Sequence, residues 1–206
     1  MPARLYVLAG VNGAGKSSIG GAALQVSGAE FFNPDIAARR LRKQQSGLSA
    51  EQANGLAWTL GRRGLEKALA EGLSYAFETT LGGTSIVKLL LDGARDGAQV
   101  HVWYAGLATP ELHLRRIKAR VAAGGHDIPE AKVRERFDAS RSNLVRLMPH
   151  LASLRLYDNS FEADPRAGRR PQPVLLLQMQ SGRIIGHAPL RSVPAWAKPL
   201  LAAALR

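Results

Sequence analysis

The chain has no cysteine, no long apolar run and a shortage of acidic residues, and the first two lacks each close off a class of protein. Without thiols no disulfide framework and no thiolate metal site can form, which removes the usual marks of an extracellular mini-domain. No stretch approaches about 18 uninterrupted apolar residues, and the N-terminus has no basic region leading into a long apolar one, so a soluble, cytoplasmic protein is expected. Only 16 Asp and Glu stand against 28 Lys and Arg, a formal charge of +12 that invites nucleic acid as a partner. The distribution argues against it: basic residues run from Arg4 to Arg206, gather only in pairs or short clusters at Arg39-Arg40/Arg42-Lys43, Arg62-Arg63, Arg115-Arg116 and Arg169-Arg170, and accompany no nucleic-acid motif. A positive field serves equally well to capture a nucleoside triphosphate and a second anionic substrate.

What is present is specific. Gly10-Val11-Asn12-Gly13-Ala14-Gly15-Lys16-Ser17 reproduces all four fixed positions of a Walker A phosphate-binding loop. Apolar Leu5 to Ala9 precedes it as a candidate strand, and Ser17-Ser18-Ile19 can open a helix. Glycines let such a loop turn its N–H groups, and the positive end of the helix, onto phosphates. The expected ATP contacts are Gly10, Asn12, Gly13, Ala14, Gly15, Lys16, Ser17 and Ser18. Lys16 would reach the β- and γ-phosphates, and the Ser17 hydroxyl would face Mg2+.

Strand-like runs recur at Leu5 to Ala9, Glu30 to Phe32, Leu73 to Phe77, Val100 to Leu107 and Leu154 to Tyr157, mostly separated by helical patterns. Ser49 with Gln52 reads as a capping box opening a helix that stops at Gly72, Thr84 as a cap for one ending near Gly97, and Thr109-Pro110-Glu111 as a helix start ended by Gly124-Gly125. Pro129-Glu130 opens another helix, which Pro149 ends. The alternation predicts an α/β fold with a mainly parallel sheet and ligands at the carboxyl ends of its strands. Residues 1–162 read as a nucleotide-binding core with a lid around 115–137. Residues 163–206 read as a linker, a β-hairpin of Val174 to Gln180 and Arg183 to His187 around Ser181-Gly182, and a helix from Pro194 to Leu205.

Two carboxylates follow apolar strands on the side of the loop: Asp35 in Phe31-Phe32-Asn33-Pro34-Asp35 and Glu78 in Phe77-Glu78-Thr79-Thr80. Asp35 suits the base that accepts an attacking hydroxyl's proton, with a plain helix cap as its alternative. Glu78 could hold a water on Mg2+ or bind substrate, and Thr79 and Thr80 offer hydroxyls to substrate. The basic segments Leu114 to Val121 and Val133 to Phe137, joined by Gly124-Gly125-His126-Asp127, resemble a lid, with Arg120 and Arg136 the candidates to stabilise a transferred phosphoryl group and Arg134 a substrate contact. His126 could touch substrate, and Asn159 in Tyr157-Asp158-Asn159-Ser160 could border adenine. The five histidines lack metal-ligand spacing.

Taken together these motifs resemble the zeta-toxin group of P-loop kinases, in particular its stand-alone bacterial members, from about Leu5 to Ser160. Arg120 to Glu130 and Tyr157 to Ser160 look like signatures of those members. The resemblance implies a three-layer α/β/α P-loop NTPase fold of the nucleotide- and shikimate-kinase type, with a five-stranded sheet in the order 2-3-1-4-5. It also implies ATP- and Mg2+-dependent phosphorylation of a hydroxyl on UDP-N-acetylglucosamine or a related nucleotide sugar, and a protein antitoxin as partner. An ATP-binding regulator or nucleic-acid-associated ATPase, or an antitoxin-binding module without turnover, are the alternatives.

Overall fold

The computed structural model describes residues 1–17, 19, 31–125, 127–161 and 172–205. Ser18, His126 and the linker expected after Asp164 fall largely outside them. Strand β1 (Arg4–Ala9) is apolar along nearly its whole length because both its faces are covered. It pairs in parallel with β3 (Ser74–Thr79) on one side and with β4 (Gln99–Gly106) on the other. β2 (Phe31–Phe32) flanks β3, and β5 (Ser153–Asp158) flanks β4, both in parallel. The full order is β2-β3-β1-β4-β5-β6-β7, so the five-stranded parallel order implied by the resemblance is present and is extended at one edge.

That extension is the expected hairpin, β6 (Val174–Gln180) and β7 (Arg183–His187), antiparallel to β5. Ser181 and Gly182 both have positive φ, +48° and +74°, as a two-residue hairpin turn whose twist matches its strands requires. Leu176, Leu177, Met179, Val193, Trp196, Leu200 and Leu201 enter the same hydrophobic core as β1, β3, β4 and β5. Hairpin and sheet therefore share one interior.

Local sequence explains most helix limits. Helix α1 (Pro34–Gln44) is capped by Asn33, whose Oδ1 accepts from Ile36 N at 3.0 Å. The cap is thus Asn33, and the reading of Asp35 as a cap is corrected: Asp35 lies within the first turn. Helix α2 (Ala50–Glu71) carries the full Ser49/Gln52 capping box and ends at left-handed Gly72. Helix α3 (Thr84–Arg95) begins one residue after Gly83, which caps it through backbone alone, so Thr84 is the first helical residue and not the cap. Helix α4 (Pro110–Ala122) has the expected Thr109 cap, and α5 (Glu130–Leu147) runs into a 3-10 turn at Met148–His150. The single helix expected from Pro194 is split into a turn at Ala195–Ala197 and α6 (Lys198–Ala204), since Pro199 lacks an N–H and tolerates only a first helical turn before it. Among the described residues no helix is long and apolar enough to cross a membrane.

Trp196 ties the C-terminal segment to the core. Its ring lies where β4 has Gly106, and a Cβ at that position would approach the indole to 2.1 Å. Its Nε1 donates to Asp158 Oδ1 at 3.2 Å, and its ring lies 6.5 Å from that of Tyr104. Gly106→Ala is therefore expected to destabilise the protein by about 1–3 kcal/mol, the usual cost of overpacking a filled core. At about 2–4 °C per kcal/mol for a chain of this size, calorimetry should show a Tm several degrees lower. An unchanged Tm would mean that Trp196 does not depend on the space that Gly106 leaves.

Candidate active site

The loop after β1 is held open from below. Gly10 has φ +137°, and a Cβ there would lie 2.2 Å from Ala105 O on β4; Gly13 has φ +80°, and its Cβ would lie 2.8 Å from His113 O on α4. Only glycine suits either place. Asn159 supports the loop from β5, its Nδ2 donating to Ala14 O at 2.8 Å. It is 1 % exposed and its Oδ1 has no hydrogen-bond partner among the described residues. Arg116 Nη2 donates to Asn159 O at 2.9 Å and joins α4 to the end of β5.

His113 is a further support that the sequence offers no signal for, since it is one polar residue in the first turns of a helix. It is buried, and its Nδ1 lies 2.8 Å from Asn12 O, so the neutral ring donates to that carbonyl. Burial pushes its pKa down to about 4, opposed by the bond to Asn12 and reinforced by Lys16 and Arg116. The unfolded imidazole binds its proton near pH 6.5, well before the folded one does. Stability from this group is therefore complete above about pH 6.5 and is lost as the pH falls from there toward 4, by about 3 kcal/mol in all. His113→Gln keeps a donor and does not titrate. Urea melts between pH 7 and 4.5 should lose less stability in that variant than in the parent chain, and identical slopes would contradict this account of His113.

Lys16 stands at the start of the helix that leaves the loop, 7 % exposed. Its Nζ donates to Gly10 O at 2.7 Å and lies 3.3 Å from Glu78 Oε1 at the end of β3. Glu78 is also gripped by Asn33, whose Nδ2 donates to Oε2 at 2.9 Å. Asn33 thus caps the helix that carries Asp35 and holds the acid that pairs with Lys16, so one side chain links the loop, β3 and α1. Its motif was legible in the sequence, but this double role was not.

Across the cleft, Arg120 Nη1 meets Asp35 Oδ2 at 3.4 Å, with the two side chains 36 % and 44 % exposed. A pair that exposed is worth about 0–1 kcal/mol, so an incoming anion or hydroxyl can displace it at little cost. Arg136 Nη1 donates to Asn12 Oδ1 at 2.8 Å, and its stem packs where Gly82 has no side chain. Arg134 goes elsewhere. It bonds Glu111 at 2.7 Å and Glu130 at 2.8 Å, holds Glu111 below the usual carboxylate range, and does not line the cleft.

The turn after β3 is strained and clamped. Leu81 has φ +52°, which a residue with a branched side chain adopts only at a cost. Thr79 and Thr80 use their hydroxyls to accept from Leu81 N and Gly82 N. From α5, Asn143 Nδ2 donates to Leu81 O at 2.7 Å and Ser140 Oγ to Thr80 O at 2.6 Å. Neither Ser140 nor Asn143 was legible in the sequence, because a polar residue on a basic helix reads as solvent-facing until its partner is known.

Lys16, Asp35, Glu78, Thr79, Thr80, Arg120 and Arg136 thus line one cleft of about 650 Å³ at the carboxyl ends of β1 and β3. Gly10, Ala14, Gly15 and Ser17 belong to the loop at its edge, and Asn159 lies beneath that loop. Such a sheet, with a glycine loop and a buried lysine at this end, defines a P-loop NTPase-like α/β protein. The chain belongs to the AAA domain family AAA_33, whose profile matches residues 5–147. It is 33 % identical over 131 residues to an uncharacterized protein of Haemophilus influenzae, a match covering 62 % of this chain and 88 % of that one. Among solved structures it is similar to AvrRxo1-ORF1:-ORF2 with ATP, at TM-score 0.65 and 19 % identity over 98 % of this chain and 63 % of that one. It is also similar to PezAT, a chromosomal toxin-antitoxin system of Streptococcus pneumoniae, at TM-score 0.52 and 17 % identity over 77 % of this chain and 68 % of that one. The AvrRxo1 match therefore leaves more than a third of that protein's own length without a counterpart here.

Proposed function

We propose that the protein is an ATP-dependent phosphotransferase of the zeta-toxin type, moving the γ-phosphoryl group to a hydroxyl of a small anionic acceptor. The observation that carries this reading is the Arg120–Asp35 contact: a lid arginine and an acid in the first turn of α1 meet inside the cleft that holds Lys16 and Glu78. In-line transfer needs a group to take the hydroxyl's proton and cations to hold the spreading phosphoryl charge. Asp35 fills the first role, and Lys16, Arg120 and Arg136 the second. A triphosphate would compete for Lys16 and Arg120 and so release Glu78 and Asp35 toward the acceptor.

Mg2+ suits the residues present. It takes oxygen ligands, keeps several waters and is usually held by one or two protein groups together with the phosphates. Ser17 and Glu78 are of that kind and would hold it, and the ion would supply charge neutralisation at the phosphates. Asn159 and Ser18 remain proposed contacts to the nucleotide, and Thr79, Thr80 and His126 to the substrate; Arg134, held by Glu111 and Glu130, is not among them.

UDP-N-acetylglucosamine or a related nucleotide sugar is the first acceptor to try, supported by the motif resemblance. Incubation with ATP, Mg2+ and a metabolite panel should produce one species heavier by a single phosphate. A panel in which ATP is consumed and no acceptor gains mass would overturn the reading. A protein antitoxin is the proposed partner, because PezAT is a toxin-antitoxin system and AvrRxo1-ORF1 is seen together with ORF2.

A further inference from the structure

One wall of the cleft has no part in handling the triphosphate. It is the face of α2 that presents Glu51, Asn54, Gly55, Trp58 and Arg62, residues three or four apart and so on one side of the helix. The opposite side of α2 packs onto α1 through Ala53 and Ala57, both fully buried against Ala38. Trp58 is therefore not required for that packing, and it is 46 % exposed, whereas Trp103 and Trp196 are 8 % and 4 % exposed.

The glycines of α2 separate into two kinds. A Cβ at Gly61 would meet the Phe32 ring at 2.7 Å, and one at Gly64 the Tyr75 hydroxyl at 2.6 Å, so both let the helix approach the sheet. Gly55 has nothing within 4 Å of its Cβ position. A mid-helix glycine costs stability relative to alanine, and here packing does not require it. What Gly55 does is leave an open slot in the cleft wall one turn before Trp58. Arg62, one turn after, has its guanidinium carbon 5.8 Å from the Trp58 ring centre and gives Nε to Glu66 at 2.8 Å, an exposed pair that an anion can easily replace.

We propose that this wall is the acceptor's ring site: Trp58 stacks a planar unsaturated ring, the gap at Gly55 admits it, and Arg62 takes an anionic group attached to the same molecule. An indole face binds a flat ring without needing hydrogen bonds, and the arginine fork fits a phosphate or carboxylate edge. The charges are divided accordingly. Lys16, Arg120 and Arg136 serve the nucleotide end, and Arg62 serves the acceptor from α2. The proposal rests on the phosphotransferase reading, since it assigns this half of the cleft to the second substrate.

The test uses the full chain saturated with Mg2+ and the β,γ-imido analogue of ATP, so that the donor site is filled and no phosphate moves. Titration with uridine 5′-monophosphate, adenosine 5′-monophosphate and nicotinamide mononucleotide should quench tryptophan emission saturably for at least one of them, while ribose 5-phosphate, which has no ring, should not. By calorimetry Trp58→Ala should weaken the ring-bearing ligand about tenfold or more, with Trp58→Phe restoring most of the loss. Arg62→Gln should weaken the monophosphate and leave its nucleoside unaffected. Absence of saturable quenching by all three ring compounds, or equal binding of ribose 5-phosphate, would overturn the ring site. Saturable ring binding in a protein that phosphorylates nothing would support the ring site and refute the phosphotransferase instead. Transfer to a ringless acceptor with KM unchanged in Trp58→Ala would do the reverse.

Discussion

Lys16→Ala is expected to reduce ATP-dependent phosphoryl transfer by about 10²–10³-fold or more, the loss seen when one preorganised charge or donor facing a transition state is removed. The lysine is one of two large contributors in the cleft because of where it sits. Its side chain is 7 % exposed, at the mouth of a loop whose backbone turns at Gly10 and Gly13, so its field at a bound phosphate is only weakly screened by water. Removing it has a second effect. Glu78, 17 % exposed, would keep Asn33 but lose its countercharge, which leaves a carboxylate near the place where phosphate must bind. Nucleotide affinity should therefore fall along with turnover. Lys16→Arg should not rescue, since the larger planar head cannot occupy a point site 2.7 Å from Gly10 O. Isothermal titration with ATP and a turnover assay read the two effects separately. Near-parental turnover in Lys16→Ala would mean that the loop is not the phosphate site.

Asp35→Asn should lower transfer by about 10²–10⁴-fold while leaving ATP affinity within about twofold, the pattern of a lost general base. The geometry makes the two variants separable. Asp35 lies in the first turn of α1, whose cap is Asn33, so the substitution leaves the helix start intact. It is 44 % exposed and pairs with Arg120 at 3.4 Å, so the variant loses little stability. The split between kcat and nucleotide binding distinguishes a base from a structural acid. Equal loss of ATP affinity and of kcat would place Asp35 at the donor end instead.

The loop itself was legible because it is encoded locally: three glycines, a lysine and a hydroxyl within eight residues, after an apolar strand. The capping box at Ser49 and Gln52, the Thr109 cap and the Ser181-Gly182 turn were legible for the same reason. Each is a hydrogen bond or a φ preference among near neighbours in the chain. What escaped the sequence depends on contacts between distant residues. His113 meets Asn12 across 101 positions, Ser140 meets Thr80 across 60, and Asn33 meets Glu78 across 45. No local pattern marks such pairs. Arg134 shows the converse, since its place in a basic segment suggested a cleft residue while two nearby acids, Glu111 and Glu130, hold it outside. The hairpin was legible as a hairpin, but that it would lengthen the parallel sheet through β5 and share its core was not. That outcome depends on Trp196 fitting over Gly106, far apart in the sequence.

The phosphoryl acceptor is what the account most needs. The measurement that tests it most directly is mass spectrometry of a metabolite panel incubated with the protein, ATP and Mg2+, run beside Asp35→Asn. The account predicts one acceptor carrying an added phosphate, equal in amount to the ADP formed, and none with the variant although it still binds ATP. ATP consumption with no phosphorylated metabolite, at the same rate in both proteins, would contradict it.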